Sequence, residues 1–177
     1  DYREDIWTRP YMTNWLSGGS VFNRANTGLE VPIELSFSLH TDAGYRYGDT
    51  IVGSIGICTT DFNEGKLGDG HNRIISRDLA DMVLTGLKDD IKAGTGQEWV
   101  LRGVWDKNYC ESREPQVISM MLELLSHQNY WEMKLALNPN FRFLVSRSIY
   151  KSLLKYVCFM YDRPYVVQPL PVEQMQV

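Results

Sequence analysis

The hydrophobic positions along the chain follow the period of strands in two long stretches. Residues 33–40 alternate apolar and polar side chains, which predicts an amphipathic strand that ends at His40. Residues 117–125, with the sequence VISMMLELL, form an almost unbroken apolar run that is typical of a strand covered on both faces. Only Glu123 interrupts this run. Two further strands are expected over residues 51–60 and 99–105.

Other apolar positions recur at helical spacing. The clearest stripe has one residue every four positions and consists of Leu79, Val83, Leu87 and Ile91. Ser76 is expected to cap this helix at its N-terminus, and Gly94 is expected to end it. Further helices are predicted over residues 7–16, from Asn129 to Asn138, and from Phe141 to Tyr156.

The alternation of strands with helices predicts the fold class. It indicates an α/β domain with a mixed, mostly parallel sheet that is flanked by helices on both faces. We expect this domain to occupy residues 1–163, and the proline-bearing residues 164–177 to form a linker toward a further domain. The chain of 177 residues starts without Met, so we expect it to be a piece of a larger protein.

Composition narrows the classes of function. Hydrophobic residues make up 44% of the chain and charged residues 23%, as in globular proteins. The formal net charge of −4 argues against a nucleic-acid partner, and no apolar stretch approaches the roughly 20 residues of a membrane span. The three cysteines are far apart and include no CxxC pair, so we expect them to pack as small apolar residues.

Two polar residues in these strands are candidates for chemistry. His40 stands at the carboxyl end of its strand, where ligands gather in open α/β sheets, and neutral imidazole is a common metal ligand. The alternative is a histidine on the polar face of an edge strand. Glu123 would be suited to general base catalysis, because partial burial raises the pKa of a carboxyl group toward neutrality. Its alternative is a salt bridge at the rim of the sheet.

The flanks of both residues carry motifs of one known family. Residues 35–43, LSFSLHTDA, follow the pattern of a hydrophobic strand, Ser-Ile-His and a small-residue turn, and residues 115–129 follow that of a proline, an apolar strand, a glutamate and a later asparagine. Residues 76–80 and 102–104 match a Ser-x-x-Leu-Ala helix and an Arg-Gly-Val segment. Over about residues 8–161, the chain therefore resembles the catalytic domain of zinc-dependent N-acetylmuramoyl-L-alanine amidases.

The resemblance implies an amidase/phosphorylase-like fold and a reaction. It implies that His40 is a zinc ligand and that Glu123 is the catalytic glutamate. The substrate would be peptidoglycan or a muropeptide, cleaved at the amide bond between N-acetylmuramic acid and L-alanine, in the periplasm or at the surface of a bacterium. The chain is also similar to the interrupted amidase domains of large cell-envelope proteins that are labelled xanthan lyase or associated with golvesin-like domains.

The same resemblance implies ligands that this chain lacks. The family's zinc site needs another histidine and a glutamate from segments before the matching part, and the first 32 residues contain no histidine. A catalytic zinc generally takes three protein ligands, so we expect an upstream segment to complete the site. Asp42, Arg102 and His127 are expected near the substrate. Arg102 could bind a peptide carboxylate or form a surface salt bridge, and His127 could line the cleft or lie at its rim.

Three alternatives stay open at this point. A metal could be bound by three histidines, His40, His71 and His127, if the loop that carries His71 folds over the site. The chain could instead be a binding module that has kept the fold and lost the metal. It could also be a polysaccharide-active lyase, for which the candidate bases are the loop tyrosines Tyr45, Tyr47 and Tyr109.

Overall fold

A computed structural model describes residues 1–168, which contain one four-stranded sheet and five α-helices. The predicted linker over residues 164–177 falls within this part only up to residue 168, and the remainder lies outside the described residues. The strands are β1 (Leu35–Asp42), β2 (Ser54–Cys58), β3 (Leu101–Asp106) and β4 (Ile118–Ser126). The helices are α1 (Tyr2–Ser17), α2 (Ile74–Thr95), α3 (Cys110–Arg113), α4 (Tyr130–Leu137) and α5 (Pro139–Met160).

The strands lie in the order β1-β4-β2-β3. β1 pairs with β4 in parallel, and β2 pairs with β3 in parallel. The central pair, β2 and β4, is antiparallel. The sheet is therefore mixed, with two of its three pairings parallel, and the predicted α/β fold class is confirmed.

One face of the sheet forms the main hydrophobic core. Successive side chains of a strand point to opposite faces, so β4 turns Ile118, Met120 and Leu122 toward α2 and α5. The predicted stripe of α2 is buried in this core, with each of its four residues at most 1% exposed. Burial of one such leucine or isoleucine contributes about 1.5–3 kcal/mol, so this layer supplies much of the stability of the fold.

The other face of the sheet is smaller and more polar. Ile55, Ile57 and Met121 form a minor apolar cluster there. α3 packs beside it, where the Ser119 hydroxyl donates to the carbonyl of Ser112 at 3.1 Å. α1 packs in turn on α3, which places helices on both faces of the sheet, as the sequence predicts.

Both predicted ends of α2 are wrong. The helix begins two residues before Ser76, which is fully buried inside it and accepts a hydrogen bond from the backbone N–H of Ser119 at 3.1 Å. Ser76 therefore joins the helix to β4 instead of capping it. The helix also runs past Gly94 and ends at Gly96, whose φ of +74° has the left-handed conformation that glycine adopts at helix ends.

The three cysteines are free, and Cys58 is fully buried. Burial raises the pKa of the Cys58 thiol to about 11, so this side chain stays a neutral, apolar thiol at ordinary pH. The packing role predicted for Cys58 is thus confirmed, while Cys110 and Cys158 are half-buried. Among residues 1–168, none of the helices has the length and hydropathy that spanning a membrane would need.

Candidate active site

His40 and Glu123 lie side by side on neighbouring strands. They are register partners in the parallel pairing of β1 with β4, so their side chains point to the same face of the sheet. Glu123 is also the register partner of Ile55 on β2, and Ile55 belongs to the minor apolar cluster. Both side chains therefore lie on the smaller and more polar face of the sheet. β1 continues to Asp42 and β4 to Ser126, so both residues stand shortly before the ends of their strands, and the prediction that the first strand ends at His40 is wrong by two residues.

Glu111 from α3 completes a pair with His40. Its Oε2 lies 2.7 Å from His40 Nε2, and its side chain is only 10% exposed. The other oxygen, Oε1, lies 3.3 Å from Nη1 of Arg9 and 3.5 Å from the Ser38 hydroxyl. Arg9 also pairs with Asp5 at 2.5 Å, one turn earlier on α1. A chain of charges therefore runs from α1 through α3 to the imidazole on β1.

A second ion pair joins residues of β1 and β3. Nη1 of Arg102 on β3 lies 2.6 Å from Oδ2 of Asp42, and both side chains are mostly buried. Two other donors of Arg102, Nε and Nη2, are buried and have no hydrogen-bond partner in the part of the chain that is described. Arg102 is thus held by Asp42 within the site, which differs from the predicted alternative of a surface salt bridge.

Glu123 stands among these groups as a carboxylate with an unused oxygen. Its Oε2 is buried and has no hydrogen-bond partner within residues 1–168. Burial raises the pKa of Glu123, and the charges of Asp42 and Glu111 raise this pKa as well, while His40 and Arg102 lower it. The structure thus joins His40 to Glu111 and Arg102 to Asp42, with Glu123 in register beside His40.

A polar groove of about 330 Å³ leads to the His40–Glu111 pair. It runs along β1 between α1 and α3. Its polar lining consists of Arg9, Thr13, Ser36, Ser38, His40 and Glu111.

The other two histidines do not line this groove. His127 is exposed, and its Nδ1 lies 3.3 Å from the Thr41 hydroxyl. Its place beside a substrate stays a prediction. His71 is 68% exposed and pairs with Asp69 at 2.8 Å in the loop before α2. Within residues 1–168, no three His, Cys, Asp or Glu side chains are close enough to hold a metal ion, so the three-histidine site is not formed.

The sequence predictions missed Glu111 and Arg9. Glu111 lies on a helix of only four residues, which is too short to show a period. The spacing of Asp5 and Arg9 could have indicated their i, i+4 ion pair on α1. The partner that matters, Glu111, lies 102 positions from Arg9 and could not be found from local spacing.

Comparison with known proteins places this site in a recognised fold. The chain is similar to the N-acetylmuramoyl-L-alanine amidase from Clostridium difficile 630, with a TM-score of 0.60 and 17% identity over 84% of this chain and 63% of that one. It is similar to the CwlD amidase from Clostridioides difficile in complex with the GerS lipoprotein, with a TM-score of 0.58 and 16% identity over 89% and 64% of the two chains. The amidase AmiC2 of Nostoc punctiforme has a TM-score of 0.53 and 15% identity over 70% and 57%.

These likenesses concern the fold. No protein-family model and no curated protein sequence matches the chain. The chain spans less than two thirds of the length of the solved structures to which it is similar. The described domain therefore has the α/β fold of N-acetylmuramoyl-L-alanine amidases, with His40 and Glu123 in register on the polar face of its sheet.

Proposed function

We propose that this chain is part of a cell-wall amidase that hydrolyses the amide bond between N-acetylmuramic acid and L-alanine in peptidoglycan. The observation that carries the proposal is the register pairing of His40, which lines the groove, with the half-buried Glu123 on the neighbouring strand. The solved structures with the same fold are N-acetylmuramoyl-L-alanine amidases, which supports this bond as the target. Because peptidoglycan lies outside the cytoplasm, we propose an extracytoplasmic location.

Glu123 is the proposed general base. Burial raises its pKa, so its carboxylate holds a proton more readily than an exposed glutamate does. The half-buried carboxylate can accept the proton of a water molecule that attacks the scissile carbonyl. The same carboxyl group then returns the proton to the leaving amine of L-alanine. A correctly placed general base of this kind accelerates a reaction by about 10²–10⁴-fold.

Arg102 is the proposed contact for the substrate. Asp42 binds Nη1 and fixes the guanidinium plane, which leaves Nε and Nη2 as a pair of donors on adjacent positions. Such a pair matches the two oxygens of a carboxylate, and stem peptides carry carboxylates. Asp42 thus acts through Arg102, and the two residues together would orient the peptide beside Glu123.

A zinc cofactor would need more protein ligands than the described residues provide. His40 provides a nitrogen of the kind that zinc binds, and Glu111 lies against its imidazole. Catalytic zinc takes three protein ligands, and residues 1–168 do not bring three such side chains together. These residues therefore do not form a zinc site by themselves. The proposal that the enzyme uses zinc requires at least one further ligand from a segment of the protein outside them.

The proposal is tested with the complete natural protein, zinc and purified peptidoglycan. We expect release of stem peptides with a free L-alanine amine, and we expect Glu123→Gln to lower the rate by about 100-fold or more. Glu98→Gln, at an exposed carboxylate far along the chain, is the matched control and should leave the rate unchanged. A fully active Glu123→Gln variant would contradict the role of Glu123. Binding to peptidoglycan without any turnover would instead identify a non-catalytic module.

A further inference from the structure

We propose that Glu111 is the positioning residue of His40: it accepts a hydrogen bond from Nε2–H and so leaves Nδ1 as the nitrogen with the free lone pair. This inference rests on the proposed function, in which His40 serves the reaction. It adds a residue from α3 to a site that the sequence assigns to β1, β3 and β4 alone.

The chemistry of the two side chains gives the direction of the proposed hydrogen bond. His40 Nε2 and Glu111 Oε2 form an ion pair whose separation of 2.7 Å lies within hydrogen-bond distance. An ionised carboxylate only accepts, so the hydrogen must be on Nε2. A neutral imidazole carries one N–H, and its other nitrogen is then an acceptor or a ligand. No protein hydrogen bond to Nδ1 of His40 is found within residues 1–168.

Glu111 is itself held in place by its surroundings. Its side chain is almost buried, and a carboxylate in that environment is costly unless it is paired. Arg9 supplies the opposite charge at Oε1, and the Ser38 hydroxyl approaches the same oxygen. Asp5 pairs with Arg9 in turn. Because residues of α1 and β1 both hold this carboxylate, it can define the orientation of the imidazole, as carboxylates behind functional histidines do.

The pair of His71 with Asp69 has the same chemistry without this support. Its distance is 2.8 Å, but the two residues lie two positions apart in one loop, and the imidazole is 68% exposed. No arginine contacts Asp69 in the described part of the chain. Exposed pairs of this kind contribute little to stability and exchange readily with water. Asp69→Asn is therefore the matched control for changes at Glu111.

The test is ¹⁵N NMR of the complete natural protein with labelled histidine, above the pH range in which imidazole titrates. We expect a slowly exchanging proton on Nε2 of His40 in the wild type and in Asp69→Asn. Glu111→Leu should lose this protection. Glu111→Gln should retain part of it, because its amide oxygen can still accept but carries no charge.

In the hydrolysis assay, we expect kcat to fall about 10–100-fold in Glu111→Leu with little change in KM, and to recover in part in Glu111→Gln.

A proton on Nδ1 of His40 in the wild type would overturn the inference, as would unchanged protection in Glu111→Leu. If circular dichroism shows that Glu111→Leu does not fold, Glu111→Gln is compared with the wild type instead. Equal protection of the Nε2 proton in these two proteins contradicts the inference. The NMR result does not depend on turnover. An inactive wild-type protein would therefore refute the proposed function while the position of the proton on His40 could still be established.

Discussion

Glu132 and Glu123 are two glutamates from the same end of the sheet, and they differ in what their oxygens contact. Glu132 is fully buried, and its two oxygens accept hydrogen bonds from the backbone N–H groups of Gly53, at 2.6 Å, and Ser126, at 2.5 Å. Glu123 is half-buried, and its Oε2 has no partner within the described residues. Two buried carboxylates of one fold therefore differ in whether the backbone satisfies their oxygens.

The difference between these glutamates lies in whether their buried oxygens have hydrogen-bond partners. Glu132 joins α4 to the ends of β2 and β4, and every hydrogen-bonding position it needs is filled by backbone. An oxygen without a partner costs free energy, so we expect it where a substrate or a proton will meet it. Glu132 therefore stabilises the fold, whereas Glu123 is available for chemistry. Changes at these two positions should separate stability from activity.

The largest expected effect on stability is that of Glu132→Ala. The change leaves the N–H groups of Gly53 and Ser126 buried without acceptors, and each such group costs about 1–3 kcal/mol. We expect the free energy of unfolding in urea to fall by about 2–6 kcal/mol. Glu98→Ala, at an exposed ion pair with Lys92, should leave the free energy of unfolding nearly unchanged. Equal effects of the two variants would mean that Glu132 does not hold α4 to the sheet.

The second-largest expected effect is on the pH dependence of the reaction rate, through the charges around Glu123. Arg102 lowers the pKa of Glu123 and Asp42 raises it, so removing each should shift the acidic limb of the pH–rate profile in opposite directions. Arg102→Gln should move that limb to higher pH and Asp42→Asn to lower pH. Arg102→Gln should also reduce kcat/KM by about 10–100-fold, through the loss of charged hydrogen bonds worth about 1.5–3 kcal/mol. Shifts in the same direction for both variants would contradict this arrangement.

The smallest expected effect is on the stability of Glu123→Gln. The pKa of Glu123 is raised in the folded state above its ordinary value of 4.5, so the folded protein holds this proton more tightly than the unfolded chain does. Stability is consequently lost as the pH rises from the ordinary value through the folded pKa. Glutamine does not titrate, so Glu123→Gln should unfold at higher urea concentration than the wild type in neutral buffer. The difference should diminish in buffer more acidic than the ordinary pKa, and a constant difference would contradict the raised pKa.

Asn129 and Glu132 have the sequence spacing of a helix capping box, and only half of that box forms. The Asn129 side chain does accept from the backbone N–H of Glu132, at 3.0 Å. The carboxylate of Glu132 does not return to Asn129, because it bonds to Gly53 and Ser126. A local pattern predicts a local contact, and it fails when a tertiary contact competes for the same side chain. The serine of α2 expected as a cap failed for the same reason, since its hydroxyl bonds to β4.

The fold and one half of the candidate site follow from sequence because both depend on strand patterns. The alternation of β1 and the apolar run of β4 predict which face each residue takes, so the structure places His40 and Glu123 together as neighbours on one face. Glu111 depends on how a four-residue helix packs against β1, 71 positions from His40. No local property of the chain encodes that contact, and only the assembled tertiary structure provides it.

The register between β1 and β4 has a consequence for folding. A slip of one residue would turn β4 over, so that Glu123 would enter the main core and Leu122 would lie on the polar face of the sheet. The same alignment therefore buries the core residues of β4 and brings His40 to Glu123. A chain that collapses with wrongly paired strands would have no aligned histidine and glutamate, and so no hydrolytic site. The geometry of the proposed site would then arise in the same cooperative step as the core.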